Sequence, residues 1–236
     1  MKNIVLTSNG YVNILPGFAY LFNKFYPNQE VTVVRYDVRP PKLPDNFKQF
    51  AVGQQSNYSW SGGLKHYLES IDDEFVLLML EDYYLDKNVD VGIIETIEKF
   101  MQFQSSIVKF DLTDDRLKVE HKPYVQTFES DIISHENVIV SDNNSPFLAS
   151  VQAAIWRRDF LIAILNNKDN AWQFEKNKRT KTYLTKNNGV ILGCVNPPMS
   201  YINAVGGEGN KPGQYDLKKF PQWMIDELKT KGVYNG

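Results

Sequence analysis

An unbroken apolar run, Phe75-Val76-Leu77-Leu78-Met79-Leu80, leads directly into Glu81-Asp82-Tyr83-Tyr84-Leu85-Asp86. A strand buried on both faces has this composition. Adjacent carboxylates at its end place hard oxygen ligands at the edge of a sheet. Mg²⁺ or Mn²⁺ with a diphosphate suits such a place, because one or two carboxylates hold the metal and phosphate oxygens fill other positions. Asp82 is the first choice of ligand, and Glu81 binds the metal or its waters. The same residues also read as a solvated turn, since Asp is common after strands.

A further carboxylate stands among rings, in Ala171-Trp172-Gln173-Phe174-Glu175. Desolvation there raises a carboxylate pKa toward that of a working base. Glu175 is therefore the candidate base, and its aromatic neighbours offer a stacking face for a sugar ring. The alternative makes Trp172 and Phe174 core residues and Glu175 a surface or ion-paired group. Asp159 is a weaker candidate, beside Arg157 and Arg158. Lys176, Lys178, Arg179, Lys181 and Lys186 share a window with no acid, and Lys211 follows Gly206-Gly207-Glu208-Gly209-Asn210. Glycines with a lysine cradle phosphate through backbone N–H groups. This stretch lacks the Gly-Lys-Ser/Thr ending of a P-loop. Lysine is mostly exposed, so a solvated loop is the other account of these bases.

These side chains need a frame. Asn3 to Leu6, Glu30 to Tyr36, Phe47 to Val52, Phe75 to Leu80, Ile107 to Phe110 and Val190 to Val195 read as strands. Tyr11 to Phe25 has the apolar spacing of an amphipathic helix, with Pro16 in its first turns. Leu64, Leu68 and Ile71 mark a helix face, and Asp90 caps the helix that follows it. Arg158 to Leu165 and Pro221 to Leu228 read as helices, while Asp114 to Ser145 is polar and irregular, with a short strand at Val138 to Val140. Alternating strands and helices predict an α/β fold: a mainly parallel central sheet with helices on both faces. Ligands on such sheets bind beyond the carboxyl ends of the strands. Thr7, Ser8 and Asn9 follow the first strand with hydroxyl and amide groups, or else cap the next helix. Asp37 follows the second, and Tyr36 beside it can stack on a base.

Composition narrows the classes. Among 236 residues, Lys and Arg number 26 against 28 Asp and Glu, a formal net charge of -2. A whole-surface nucleic-acid or membrane binder needs a basic excess. The lone Cys194 excludes an internal disulfide framework and a four-cysteine zinc site. It suits a reducing, cytoplasmic setting. No apolar stretch approaches the ~20 residues of a membrane span, and the first apolar run is too short for a signal-peptide core. His66, His121 and His135 show no metal-ligand spacing. With no linker or repeat, the expectation is one domain, 1–236, with a nucleotide-binding half at 1–112 and an acceptor-binding half at 113–236.

The apolar strand ending in Glu81-Asp82 resembles the DxD-like motif of GT-A-type glycosyltransferases. Ser150 to Leu161, followed by Ala171-Trp172-Gln173-Phe174-Glu175, resembles the small transferases of capsule, lipopolysaccharide and phage genes, over roughly residues 1–210. The resemblance implies a GT-A-like single domain that moves a sugar from a nucleotide sugar, a UDP-sugar foremost, to an acceptor hydroxyl of a carbohydrate or glycoconjugate. It implies Mn²⁺ or Mg²⁺ at Glu81 and Asp82, and a carboxylate base at Glu175. It implies nucleoside contacts at Thr7 and Asp37 and at Trp60 to Lys65. The sequence departs from a simple DxD, with Tyr84 where another acid can stand, and no histidine after His135 supplies a third ligand. A nucleotidyltransferase is the second class, although the loop from Thr7 to Tyr11 has one glycine and no base. A non-catalytic carbohydrate-binding protein is the third.

Overall fold

The computed structural model describes residues 1–118, 138–205 and 211–234, and the backbone of 125–128. The first half runs β1 (Lys2–Leu6), α1 (Leu15–Phe25), β2 (Val31–Arg35), β3 (Phe47–Ala51), α2 (Trp60–Leu68), β4 (Phe75–Leu80), β5 (Tyr83–Leu85), α3 (Val91–Phe103) and β6 (Ile107–Asp111). The second runs α4 (Asp115–Lys118), β7 (Val125–Phe128), β8 (Val138–Ser141), β9 (Ala154–Arg157), α5 (Arg158–Ile164), α6 (Ala171–Glu175), α7 (Arg179–Asn187), β10 (Val190–Cys194), β11 (Tyr201–Asn203) and α8 (Gln222–Thr230). Short 3-10 turns occupy Val12–Ile14, Gln55–Asn57 and Leu217–Lys219.

Nine strands form one sheet in the order β3-β2-β1-β4-β9-β6-β10-β8-β7. The first four of these are parallel neighbours. β9 enters antiparallel between β4 and β6, and β10 runs parallel to β6. β8 reverses against β10, and β7 against β8. All strands but β8 and β9 therefore share one direction, which makes the sheet mainly parallel as expected. β5 leaves the end of β4 and pairs with β11 as a separate antiparallel ribbon.

Helices cover both faces. One core gathers Phe18 and Phe22 of α1, Ile97 and Met101 of α3, and Met224 and Leu228 of α8. The other gathers Leu64 of α2, Phe160 and Ile164 of α5, Phe174 of α6 and Leu184 of α7. Along β4, Phe75, Leu77 and Met79 enter the first core, and Val76 and Leu78 the second. Burial on both faces is why this strand has no polar alternation.

Local signals set the ends of elements. Asp90 accepts from the Ile93 N–H at 3.1 Å and starts α3, as its place in the sequence predicts. The helix expected from Tyr11 begins later, because Val12–Ile14 wind as a 3-10 turn and Pro16 takes the first turn of α1. The sequence pattern does not predict β5, β9 or β11, nor α6 and α7. Among the described residues no helix is long and apolar enough to cross a membrane.

Candidate active site

The carboxyl ends of β1 and β4 lie side by side, with Leu6 opposite Leu80. The residues that follow each strand therefore meet. Thr7 Oγ1 donates to Glu81 Oε1 at 3.1 Å, and both residues are buried. The Ser8 backbone N–H also supports the carboxylate. Burial raises the Glu81 pKa, and the charge of Asp82 raises it further. Thr7 is thus a support for Glu81 and offers nothing to a nucleoside, which corrects that expectation.

Asp82 is the next residue along. Its backbone oxygen accepts from Ala204 N at 2.7 Å, which ties it to the segment beside β11. The Asn203 side chain donates to its carboxylate. Its Oδ1 is buried with no hydrogen bond. Burial raises the Asp82 pKa; nearby Lys219 opposes the rise and Glu175 adds to it. An orphaned buried oxygen of this kind marks a missing cationic or donor partner.

Glu175 ends α6. Asn170 and Gln173 cap that helix reciprocally, each side chain accepting from the other's backbone N–H at 2.9 Å. Phe174 is fully buried against Trp60 and Trp156. These contacts fix the helix, and Val151 N–H fixes the side chain by donating to Glu175 Oε1 at 2.9 Å. Burial raises the Glu175 pKa; the Val151 bond, Lys109 and Lys176 oppose that rise. Of the two rings expected to offer a stacking face, Phe174 is core and Trp172 is 59% exposed.

Glu81, Asp82 and Glu175 line one cleft of about 570 Å³. Ser8, Tyr11, Gln55 and Tyr58 to Trp60 contribute to its lining. Val151, Lys168, Asn170 to Gln173, Tyr83, Asn203 and Val205 line it as well. The volume is that of an ordinary small-molecule site.

The other sequence-predicted residues divide. Ser8 lines the cleft. Asn9 and Asp37 stand beside it, joined at 2.8 Å, and both bond to Gln55, which lines it. These bonds hold the exposed Asp37 below its ordinary pKa. Tyr36 is a correction: it is 1% exposed and its hydroxyl donates to Ser59 O at 2.8 Å, so its ring is core and stacks on no base. Lys65, on α2, and Lys211, exposed, are not among the residues lining the cleft. Neither is any of the bases from Lys176 to Lys186: α7 carries most of them, Arg179 pairs with Asp169, and Lys181 bonds Asn144. His66 packs near Phe50 and Tyr58. His121, His135 and Gly206 to Asn210 lie outside the described residues.

Several cleft residues escaped the sequence. Tyr11 stands beside both strand-end carboxylates, whose charges, after burial, raise its pKa. Lys168 supplies a cation to the lining. Outside the lining, Lys219 bonds Val205 O at 2.9 Å and pairs with Asp216, and its charge lowers the Asp82 pKa. Nothing local to Asn203 or Lys219 marks them; the β5–β11 pairing brings Asn203 to the site, and the Val205–Tyr215 bridge with the Lys219 bond to Val205 O brings the later turn beside it.

The donor set suits a hard divalent cation shared with a ligand. Asp82 offers an oxygen with no other use, and Glu81 stands next to it. Among the described residues no group of three Asp, Glu, His or Cys gathers to cage a metal. Ligand oxygens and water would have to supply the remaining positions, the habit of Mg²⁺ at phosphate sites.

No protein-family model matches the chain, and no curated protein matches its sequence. A solved structure shares its architecture. S. aureus TarS superposes with a TM-score of 0.50 and 16% identity, covering 84% of this chain and 59% of that one. CMP:2-keto-3-deoxy-manno-octonic acid synthetase, complexed with CTP, gives 0.46 and 11%, covering 86% and 92%. LgtC gives 0.38 and 10%, covering 67% and 58%. The chain spans 59% of the length of the TarS structure it matches. The likeness to TarS speaks to fold, and the fold is the GT-A-like α/β class.

Proposed function

We propose that this chain transfers a glycosyl group from a nucleotide sugar, a UDP-sugar foremost, to the hydroxyl of a carbohydrate or glycoconjugate. One observation carries the proposal: a strand-end carboxylate with an unbonded oxygen, Asp82, and a half-buried carboxylate of raised pKa, Glu175, line the same cleft. A GT-A-like fold places that cleft beyond the carboxyl ends of parallel strands, where ligands of such sheets bind.

The chemistry is a displacement at the anomeric carbon. The acceptor oxygen forms the new bond to that carbon, and the bond to the diphosphate oxygen breaks and leaves its electrons on the diphosphate. Glu175 takes the acceptor proton. Ser8 and Gln55, the latter held by Asn9 and Asp37, present polar groups for the nucleoside. Lys168 and Lys219 add positive charge for the leaving diphosphate. Mn²⁺ or Mg²⁺ at Asp82, with Glu81 beside it, would act as a Lewis acid toward the diphosphate. Trp172 offers an exposed ring to a sugar face.

Calorimetric titration with UDP, GDP, CDP and their sugars, with and without Mn²⁺, tests the proposal. Metal-dependent binding of a nucleotide sugar, followed by release of the nucleoside diphosphate with an acceptor present, is the expected result. No binding of any UDP or GDP compound in the presence of metal sinks it. Consumption of a nucleoside triphosphate with release of pyrophosphate assigns the cleft to nucleotidyl transfer instead.

A further inference from the structure

Lys109 is the third residue of β6, and its side chain has no exposed surface. Lysine is almost never fully buried unless its charge is matched. Its ammonium pairs with Asp111 Oδ1 at 2.7 Å, and Arg116 pairs with Asp111 Oδ2 at 2.9 Å. All three side chains are at most 3% exposed. Two cations share one carboxylate, so one positive charge is left over in the interior. The carboxylate it faces next is Glu175.

The link between them is a single peptide group. Lys109 Nζ donates to Ser150 O at 2.8 Å. Val151 N, on the same amide, donates to Glu175 Oε1 at 2.9 Å. A trans peptide directs its oxygen and its hydrogen to opposite sides. The ammonium and the carboxylate thus bind the two ends of one amide dipole. A cation on the carbonyl strengthens the N–H as a donor, because hydrogen bonds in series polarise one another. The ring of Trp156, 4.5 Å from Nζ, and the Leu148 carbonyl hold the ammonium from other sides.

Resting on the transferase proposal above, we infer that Lys109 is a positioning residue: it orients Glu175 through the Ser150–Val151 peptide group and fixes one oxygen of that carboxylate, so that the other can meet the acceptor hydroxyl. The charged groups around Glu175 are Lys109 of β6, Lys176 next to it in the chain, Asp115 of α4 and Asp82 at the end of β4. Of these only Lys109 acts through the amide that Glu175 accepts from.

Amide and carbonyl NMR signals of the whole chain test this without any turnover. In Lys109→Met the Val151 amide proton should move upfield and the Ser150 carbonyl carbon should shift with it. In Arg116→Met, which removes the other cation of the cluster, both signals should stay. In Lys109→Met kcat should fall by up to roughly 10²-fold, the scale of a misplaced catalytic group, while calorimetric affinity for the nucleotide holds. Unchanged Val151 and Ser150 signals in a folded Lys109→Met overturn the inference, and so does an equal response to both substitutions. If Lys109→Met does not fold, Glu175→Gln probes the same link from the other end. The side-chain nitrogen signal of Lys109 must then move, and its constancy overturns the inference. If the signals respond as expected but no nucleotide sugar binds, the positioning stands and the transferase proposal falls.

Discussion

Thr7 Oγ1 reaches across from the end of β1 to Glu81 Oε1 at the end of β4, 3.1 Å away and out of water. The pairing holds a carboxylate whose burial opposes its ionisation. A carboxyl raised in this way keeps its proton in the fold at a pH where the unfolded chain has lost it. The unfolded state then binds fewer protons, so stability falls as pH rises above the ordinary value of 4.5 and until the folded group ionises. Glu81→Gln should flatten that fall and gain on the order of 2 kcal/mol at pH 8 relative to pH 5. Urea midpoints at the two pH values measure it. A parent chain equally stable at both removes Glu81 from the account.

The unbonded oxygen of Asp82 leads to a separate expectation. Asp82→Asn keeps the shape and removes the charge. Nucleotide affinity with Mn²⁺ should fall to the value measured without it, and affinity without metal should hardly change. Titration calorimetry in the two buffers decides; if the Mn²⁺-dependent part survives in Asp82→Asn, the cation is held elsewhere.

How much of this was legible beforehand depended on whether the signal was local. β4 was read to its exact ends because burial on both faces leaves an unmistakable apolar run. The cap at Asp90 was equally local. Residue type and setting single out Glu81, Asp82 and Glu175 as candidates, and the structure brings them to one cleft. Tyr36 was misjudged because its position after a strand says nothing of where its ring points; packing against α2 turns it inward. The four residues of β9, directly before a helix, carry too little pattern to announce an antiparallel insertion. Lys109 was invisible for the same reason: within a strand, nothing marks a lysine as buried except the partners that folding brings to it.

Gly17 offers a test of packing behind the site. A Cβ placed there would lie 2.4 Å from the Tyr84 hydroxyl. That hydroxyl donates to Ile14 O at 2.6 Å and meets the Tyr215 hydroxyl at 2.8 Å. Alanine normally favours a helix over glycine by up to about 1 kcal/mol. Here the overlap should win, and Gly17→Ala should cost about 1–3 kcal/mol. Tyr84→Phe should recover part of the loss in the double variant. Thermal unfolding of the four proteins reads the coupling, and a Gly17→Ala chain as stable as the parent refutes the close approach.

Trp172 lines the cleft but is 59% exposed, which is unfavourable for a large ring unless something covers it during function. Stacking of an acceptor sugar supplies that cover. Trp172→Ala should raise the acceptor KM roughly 3- to 10-fold, the scale of a ring contact, and leave nucleotide affinity alone. Initial rates against acceptor concentration separate the two. A rise in nucleotide Kd with an unchanged acceptor KM would move the ring to the donor side.

Glu175 must accept a proton, so it must be ionised when the acceptor arrives. Burial raises its pKa, and the Val151 N–H and Lys109 restrain the rise. The rate should therefore climb with pH through a value above the ordinary 4.5 of a glutamate and then level off. Glu175→Gln keeps the size of the side chain and removes its basicity. It should lower kcat by on the order of 10²–10⁴ with donor binding intact. The pH-rate profile of the parent and single-turnover rates of the variant check both. If Glu175→Gln turns over near the parental rate, the acceptor proton goes elsewhere, and Asp82, a strand-end carboxylate of raised pKa lining the same cleft, becomes the group to replace next.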